Sequence, residues 1–240
     1  NGSLCPIRAP HLTQIPLGAI LKILVACERS GVVREAFSKA GWEAWSCDLQ
    51  ETITPGNHYT GDVRDILFEN WDLVIAHPPC TYLTVTGNKW FLPQYADRFP
   101  TRKQDRKDAI NFFMLFTKLR CAYAIENPVG IMSRIYRKPN QIIQPFEFGH
   151  VEAKKTCLWL QGLPRLRPTE IKKPEYTTFA SGKRIATWYV NAARDKDNRM
   201  NIRSQTFQGV ANAMVSQWGA HLTKRAADVC YVAPQQTSFL

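Results

Sequence analysis

The sequence contains no run of about 18 consecutive apolar residues, the length a membrane-spanning helix needs, so no membrane segment is expected. It contains no C-x-x-C pair, and its seven cysteines are scattered and odd in number. That argues against a disulfide framework and against a zinc ribbon; no metal is expected, and a reducing, cytoplasmic setting fits best. No signal peptide stands out, because the partly apolar stretch 15–27 merges into what reads as the first core strand. There is no internal repeat and no low-complexity tract. Acidic residues are scarce: 20 Asp and Glu stand against 31 Lys and Arg, a formal net charge of +11.

Most of the basic residues fall in the later part of the chain. Arg98, Arg102, Lys103, Arg106 and Lys107 form one group, and Arg134, Arg137 and Lys138 another. Lys154, Lys155, Lys172, Lys173, Lys183, Arg184 and Arg194–Arg203 continue the trend. Neutralising phosphates releases counterions, so a polyanion partner follows naturally; a solvated basic surface is the plainer alternative.

The 240 residues, 45% of them hydrophobic, suffice for one α/β domain with a small insertion. Asn1-Gly2-Ser3 resembles a cloning scar, and Pro6, Pro10 and Pro16 break regular structure, so 1–21 reads as an extension. From Ile23 onward short strands alternate with helices. Strands are expected at Ile23–Cys27, Ala44–Cys47, up to Asp62, Asp72–Ala76, Ala122–Ile125 and Thr156–Leu160. Helices are expected at Gly31–Lys39 with Ser30 as cap, near Lys103–Lys118, and from Thr206 to Trp218. This alternation predicts a doubly wound, Rossmann-like parallel sheet. Residues 22–160 form the core in this reading, 161–204 a small loop-rich module, 205–222 a helix that returns to the core, and 223–240 a tail. The aromatic-rich loop Thr81–Arg102 reads either as a lid over the site or as a packed excursion.

The chemistry concentrates where apolar runs stop. Asp72-Leu73-Val74-Ile75-Ala76 ends at His77-Pro78-Pro79-Cys80, and Ala122-Tyr123-Ala124-Ile125 ends at Glu126-Asn127-Pro128. Ligands of parallel α/β sheets bind at the carboxyl ends of the strands. A thiol and a carboxyl presented there can attack and protonate one planar ring, which points to covalent catalysis on a pyrimidine. Burial at a strand end would raise the Glu126 pKa and make it a proton donor. The turn Cys27-Glu28-Arg29-Ser30-Gly31-Val32 precedes a helix and can offer backbone N–H groups to a cofactor. Asp48 is placed for a ribose and Asp62 for an adenine amino group; each position equally suits a capping residue or a surface turn. Cys27, Cys47, Cys121 and Cys157 sit in apolar runs and read as core residues. Lys154 and Lys155 are either solvated or reach a substrate carbonyl or phosphate.

Taken in order, these motifs resemble those of the DNA cytosine-C5 methyltransferases over roughly residues 22–220. The resemblance equates Pro78-Pro79-Cys80 with that family's nucleophile motif and Glu126-Asn127 with its cytosine-contacting motif. It implies a methyltransferase fold with a target-recognition insertion at 161–204. It also implies S-adenosylmethionine as cofactor, held by Cys27, Glu28, Ser30, Gly31, Val32, Asp48, Leu49, Asp62, Val63, Pro78 and Asn212. Gln208–Met214 would match the family's last motif. Catalysis would fall to Cys80, Glu126 and Lys155, the lysine standing where the family carries an arginine. Asn88, Lys89, Arg98 and Lys154 would contact double-stranded DNA whose cytosine is flipped out. A cytoplasmic monomer of the compact, phage-encoded kind is implied.

The match departs at Glu28, where the family has glycine, and at Pro128. Three rivals follow from the same residues. One is an amino-group methyltransferase with His77-Pro78-Pro79-Cys80 in place of Asp-Pro-Pro-Tyr. Another is a C5 enzyme acting on RNA or free nucleotide. The third is a non-catalytic DNA-binding protein on the same scaffold.

Overall fold

The structure is a computed structural model and describes residues 20–195 and 199–230. Most of the expected N-terminal extension and the end of the expected tail lie outside the described residues. In chain order the elements begin with β1 (Lys22–Ala26), α1 (Val32–Lys39), β2 (Glu43–Asp48), β3 (His58–Thr60) and β4 (Leu73–Ala76). Next come α2 (Arg102–Phe116), β5 (Ala122–Pro128), the short α3 (Met132–Ile135), β6 (Gln141–Ile143) and β7 (Thr156–Gln161). The last part holds the hairpin of β8 (Tyr176–Thr178) and β9 (Arg184–Ala186), then α4 (Thr187–Arg194), α5 (Arg199–Ser204), α6 (Gln208–Met214) and α7 (Ala220–Cys230).

Seven strands form one sheet in the order β3-β2-β1-β4-β5-β7-β6. β1 to β5 are parallel, and β7 runs antiparallel to both β5 and β6. This is a doubly wound, Rossmann-like α/β fold. The strand order reverses between β1 and β4, the switch point at which such sheets open a crevice at their carboxyl edge.

Period-two alternation divides the core between the two faces. Ile23, Val25, Leu73, Ile75, Leu158 and Leu160 share a cluster with Val33 and Phe37 of α1 and with Val210, Met214 and Trp218. Leu24, Val74, Ala76, Tyr123, Ile125 and Trp159 share the other with Phe113 and Phe116 of α2. Each fully buried large side chain contributes about 1.5–3 kcal/mol. The two central tryptophans also satisfy their indole N–H groups, Trp159 on the Arg137 carbonyl (2.8 Å) and Trp218 on that of Pro164 (2.9 Å).

Several details differ from or refine the sequence-based expectation, among them the antiparallel β7 and the elements β8, β9, α4 and α5 in the segment expected to be loop-rich. Gly31, not Ser30, occupies the N-cap of helix α1, in a left-handed conformation (φ 73°); the Ser30 hydroxyl accepts from Val32 N (3.4 Å), and the Glu28 carboxylate accepts from Val33 N (2.6 Å) and Arg34 N (3.2 Å). A buried anion at a helix N-terminus satisfies orphan donors and the helix dipole together. The expected C-terminal helix is α6, a wider π-type turn at Val215–Gly219 that buries Trp218, and α7, which runs on to Cys230. β6 was not expected. Finally, the Thr81–Arg102 loop is packed, the second of its two readings. The Arg102 guanidinium is buried among Phe91 (4.7 Å), Tyr82 (5.1 Å) and Phe99 (5.6 Å), and that of Arg106 lies 3.4 Å from the Phe91 centroid. Among the described residues, no helix is long and apolar enough to cross a membrane.

Candidate functional site

Parallel register brings the strand ends together. Ala26 pairs with Ala76, and Ala76 with Ile125, so Cys27, His77 and Glu126 follow side by side at the edge of β1, β4 and β5. Cys27 has φ 59°, the only positive value for a non-glycine among the described residues. It turns the chain sharply enough for Glu28 to reach the helix it caps. After His77 two prolines remove two backbone donors. Their turn is held from the next strand: the buried Asn127 donates from Nδ2 to the Pro78 carbonyl (2.7 Å). Asn127 therefore fixes the segment that carries Cys80, a role sequence reasoning did not give it.

A second tie joins the two loops. Val85 N donates to Val129 O and Ile131 N to Leu83 O (2.9 Å). They approach so closely at Gly130 that an added Cβ would lie 2.2 Å from the Leu83 carbonyl oxygen; only glycine fits.

The Glu126 carboxylate lies 2.6 Å from His77 Nδ1, each side chain 13% exposed, and also accepts from the Thr206 hydroxyl (3.4 Å). Burial alone would raise its pKa. The imidazole, Lys154 and Thr206 outweigh burial and bring it down to about 2, so the expected raised value is corrected: beside His77 the carboxyl is an anion. Burial works against a charged His77, yet Glu126 and Glu28 lift its pKa above the usual imidazole value. Burial pushes the half-buried Cys80 thiol up, with Lys154 and Arg203 pulling down and Glu126 adding to the rise.

Of the two lysines, Lys154 belongs to this site. Residues 151–156 approach β7 with Val151 and Lys155 exposed and Thr156 buried. Lys154 and Thr156 line the same cavity as Glu126 and Thr206, while Lys154 Nζ reaches the Gln205 carbonyl (3.3 Å). Lys155, expected as catalytic, points away because an extended chain turns alternate residues to opposite sides. The cavity at Glu126 is about 10 Å³, the room of a single water. A larger one of about 230 Å³, lined by Glu152, Trp188, Gln205 and Gln208, adjoins it, with Thr206 and Phe207 lining both.

Apart from Asn212, the positions expected to hold a cofactor follow the carboxyl ends of β1 to β4. Ser30, Gly31 and Val32 form the turn into α1; the Glu28 carboxylate is taken by that helix. Asp48 ends β2, half-buried, with one oxygen on Gln50 N (3.0 Å), and Leu49 beside it is 75% exposed. Asp62 caps the turn at Val63, accepting from Arg64 N (2.9 Å) and pairing with its guanidinium (2.6 Å); the Arg64 backbone N–H, the guanidinium and its charge lower its pKa despite burial. Val63 and Pro78 are buried. Asn212 is exposed on α6 with its Oδ1 taken by Gln208 (2.9 Å). Of the expected DNA contacts, Asn88 accepts from Arg106 (2.8 Å), Lys89 lies over Trp90 (4.4 Å), and Arg98 lies against Trp90 and Phe99 (5.9 and 5.3 Å).

Sequence reasoning gave Thr206 no part in the site, His77 a place only in the amino-group rival, and Asn127 a place in the Glu126-Asn127 motif without its anchoring role. Only Asn127 carried a signal, as a polar residue closing an apolar strand.

No family model matches the chain, and no curated protein does. Among solved structures it is similar to a "putative DNA modification methyltransferase encoded within prophage" of E. coli, at 16% identity and a TM-score of 0.41. The match covers 64% of this chain and 52% of that one, so this chain matches about half the length of that protein.

Proposed function

We propose that this protein is an S-adenosylmethionine-dependent DNA methyltransferase acting on C5 of cytosine. The observation that carries the reading is the juxtaposition of a half-buried thiol, Cys80, and a buried carboxylate, Glu126, at the ends of adjacent parallel strands beside the switch point. Cytosine C5 is a poor nucleophile. Addition of the Cys80 sulfur to C6 makes C5 enamine-like, and Glu126, facing the N3 and amino edge, balances the charge that develops there. Lys154, the lysine that shares the cavity with Glu126, takes the place first given to Lys155 at the base carbonyl. The cavity at Glu126 admits a base only when the Thr206–Phe207 wall yields toward the wider space beside it. The base must leave the duplex to reach it, and the basic surface supplies phosphate contacts.

The edge from β1 to β4 fits a nucleoside cofactor. Cys27, Ser30, Gly31 and Val32 would hold it by their backbone, with Glu28 contributing backbone alone. Asp48 would take the ribose, Leu49 would offer an exposed apolar face to the adenine, and Asp62, Val63, Pro78 and Asn212 would complete the pocket. S-adenosylmethionine would supply an electrophilic methyl group there.

Covalent trapping tests the reading. The protein is incubated with S-adenosylmethionine and a mixed-sequence duplex carrying 5-fluorocytosine, with Cys80→Ala alongside. A denaturation-resistant adduct that needs both Cys80 and the cofactor is expected. Methyl transfer to DNA without an adduct would replace this reading by the amino-group one, which the raised Cys80 pKa favours. Binding with neither would favour a non-catalytic protein or an RNA substrate.

A further inference from the structure

His77 is the group in this site that the chemistry above leaves without a task. Its backbone N–H donates to the Ala26 carbonyl (2.9 Å), which fixes it between β1 and β5. Nδ1 lies 2.6 Å from Glu126, and Nε2 is buried without a hydrogen-bond partner. The charged groups acting on the imidazole come from three elements: Glu28 in the turn after β1, Glu126 on β5, and Lys154 before β7. Cys80 lies on its own turn. Two carboxylates against one ammonium favour an imidazolium at this position.

We propose that His77 is the proton reservoir of Glu126, a positioning residue that stores the proton Glu126 must present to the base. The proposal rests on the cytosine-C5 reading for its substrate, but the pair itself does not. In the resting site the proton is on the imidazole and Glu126 is a carboxylate. The Cys80 sulfur, its own proton lost to solvent, bonds to C6, and the ring π electrons move through C4 onto N3. Glu126 gives a proton to N3 and takes one from Nδ1, which leaves His77 neutral. After C5 has taken a methyl group, its own proton leaves to solvent, the electrons of the C5–H bond re-form C5=C6, and the C6–S bond breaks; N3 then returns its proton by the same path and the sulfur regains one from solvent. Held as an anion by the imidazolium, Glu126 has no proton of its own to give, and the one it passes on is that of Nδ1.

Two measurements test this separately. The first follows the five histidines of the ¹⁵N-labelled protein by NMR through pH. One imidazole is expected to titrate above the ordinary range, to vanish in His77→Gln and to fall in Glu126→Gln. A His77 that titrates as free histidine, or is unmoved by Glu126→Gln, overturns the proposal whatever the substrate. The second compares the rate of adduct formation on the 5-fluorocytosine duplex in His77→Gln and wild type. Glutamine keeps a donor for Glu126 but cannot release a proton, so a loss of roughly 10- to 100-fold is expected at neutral pH. The loss should shrink as pH falls into the carboxylate range, where solvent protonates Glu126 directly. A variant-to-wild-type ratio that does not change with pH, or full activity with glutamine, also overturns it. Absence of any wild-type adduct sinks the cytosine-C5 reading instead, and the titration still decides the pair.

Discussion

At the carboxyl ends of β4 and β5 the polar groups are buried and specifically placed: Asn127 on the Pro78 carbonyl, His77 and Thr206 on Glu126, Glu28 on the α1 N-terminus. The segment from 161 to 204 is built the other way. Among the described residues, Leu166 and Ala192 are its buried apolar ones, while Ile171, Tyr176, Phe179 and Ile202 are exposed at 74, 40, 41 and 39%. It is tethered by edge contacts, Trp188 to the Ala153 carbonyl (2.9 Å) and Glu175 N to Val151 O (2.9 Å). A buried polar group left unpaired is costly, so the strand ends admit few alternatives. A tethered surface segment can change sequence or move at little cost.

The comparison breaks most completely at Cys80. Cys80→Ala should abolish the trapped adduct while leaving the urea midpoint nearly unchanged, because the thiol is only half-buried. The next effect falls on the ion pair. Glu126→Gln leaves a buried imidazole without its counter-charge and should cost about 3 kcal/mol near neutrality. The cost depends on pH with a defined sign. The Glu126 pKa is depressed in the fold, so its contribution is present above the ordinary carboxylate value and lost as pH falls toward about 2. The His77 pKa is raised, so its contribution is present below the ordinary imidazole value and lost as pH rises through the folded one. The difference between wild type and Glu126→Gln should therefore peak in the weakly acid range and narrow on both sides. Urea denaturation at stepped pH measures it, and a difference flat in pH would dissolve the pair.

Asn127 and Gly130 come next. Asn127→Ala strands the Pro78 carbonyl and should cost about 1–3 kcal/mol, with adduct formation falling further than stability explains because the Cys80 turn loses its anchor. Gly130→Ala forces the loops after β4 and β5 apart and should cost a similar about 1–3 kcal/mol. An equal substitution in the 161–204 segment, Ile171→Ser, should stay within about 0.5 kcal/mol. If Ile171→Ser destabilises as much as Asn127→Ala, the two regions do not differ as described.

What the sequence made legible follows the same division. The positions of Cys80 past the end of β4 and of Glu126 at the end of β5 could be read because each apolar run stops at prolines, and parallel strands put such ends on one edge. The places of β1 to β5 along the chain were readable from the same apolar runs, but their order in the sheet was not. Nor were the parts of His77 and Thr206 beside Glu126, or the capping role of Glu28. Thr206 meets Glu126 across 80 residues of chain, and no local pattern announces that contact. Glu28 stands where a glycine was expected, and only the φ of Cys27 shows how the chain lets its carboxylate turn inward. β6 escaped notice because Gln141-Ile142-Ile143 is three residues long between Pro139 and Pro145, too short for alternation to register. The lysines illustrate the limit most sharply. An extended segment alternates, but its phase is set by where it enters β7, and a sequence gives the period without the phase.

That phase is the smallest effect to measure and the most direct. Lys154→Ala should reduce adduct formation roughly tenfold, since it removes a positive charge from both Glu126 and Cys80. It should also move the Glu126 titration upward, because one of the charges that outweigh burial is gone. Lys155→Ala should leave stability within about 0.5 kcal/mol and the Glu126 titration in place. Its remaining effect would be on the salt dependence of DNA binding, with a slope smaller by about one if the ammonium meets a phosphate. The two variants differ by one position along the chain and carry the same change in net charge. A matched loss of adduct in both would mean that overall charge, and not the facing of residue 154 into the Glu126 cavity, governs the chemistry.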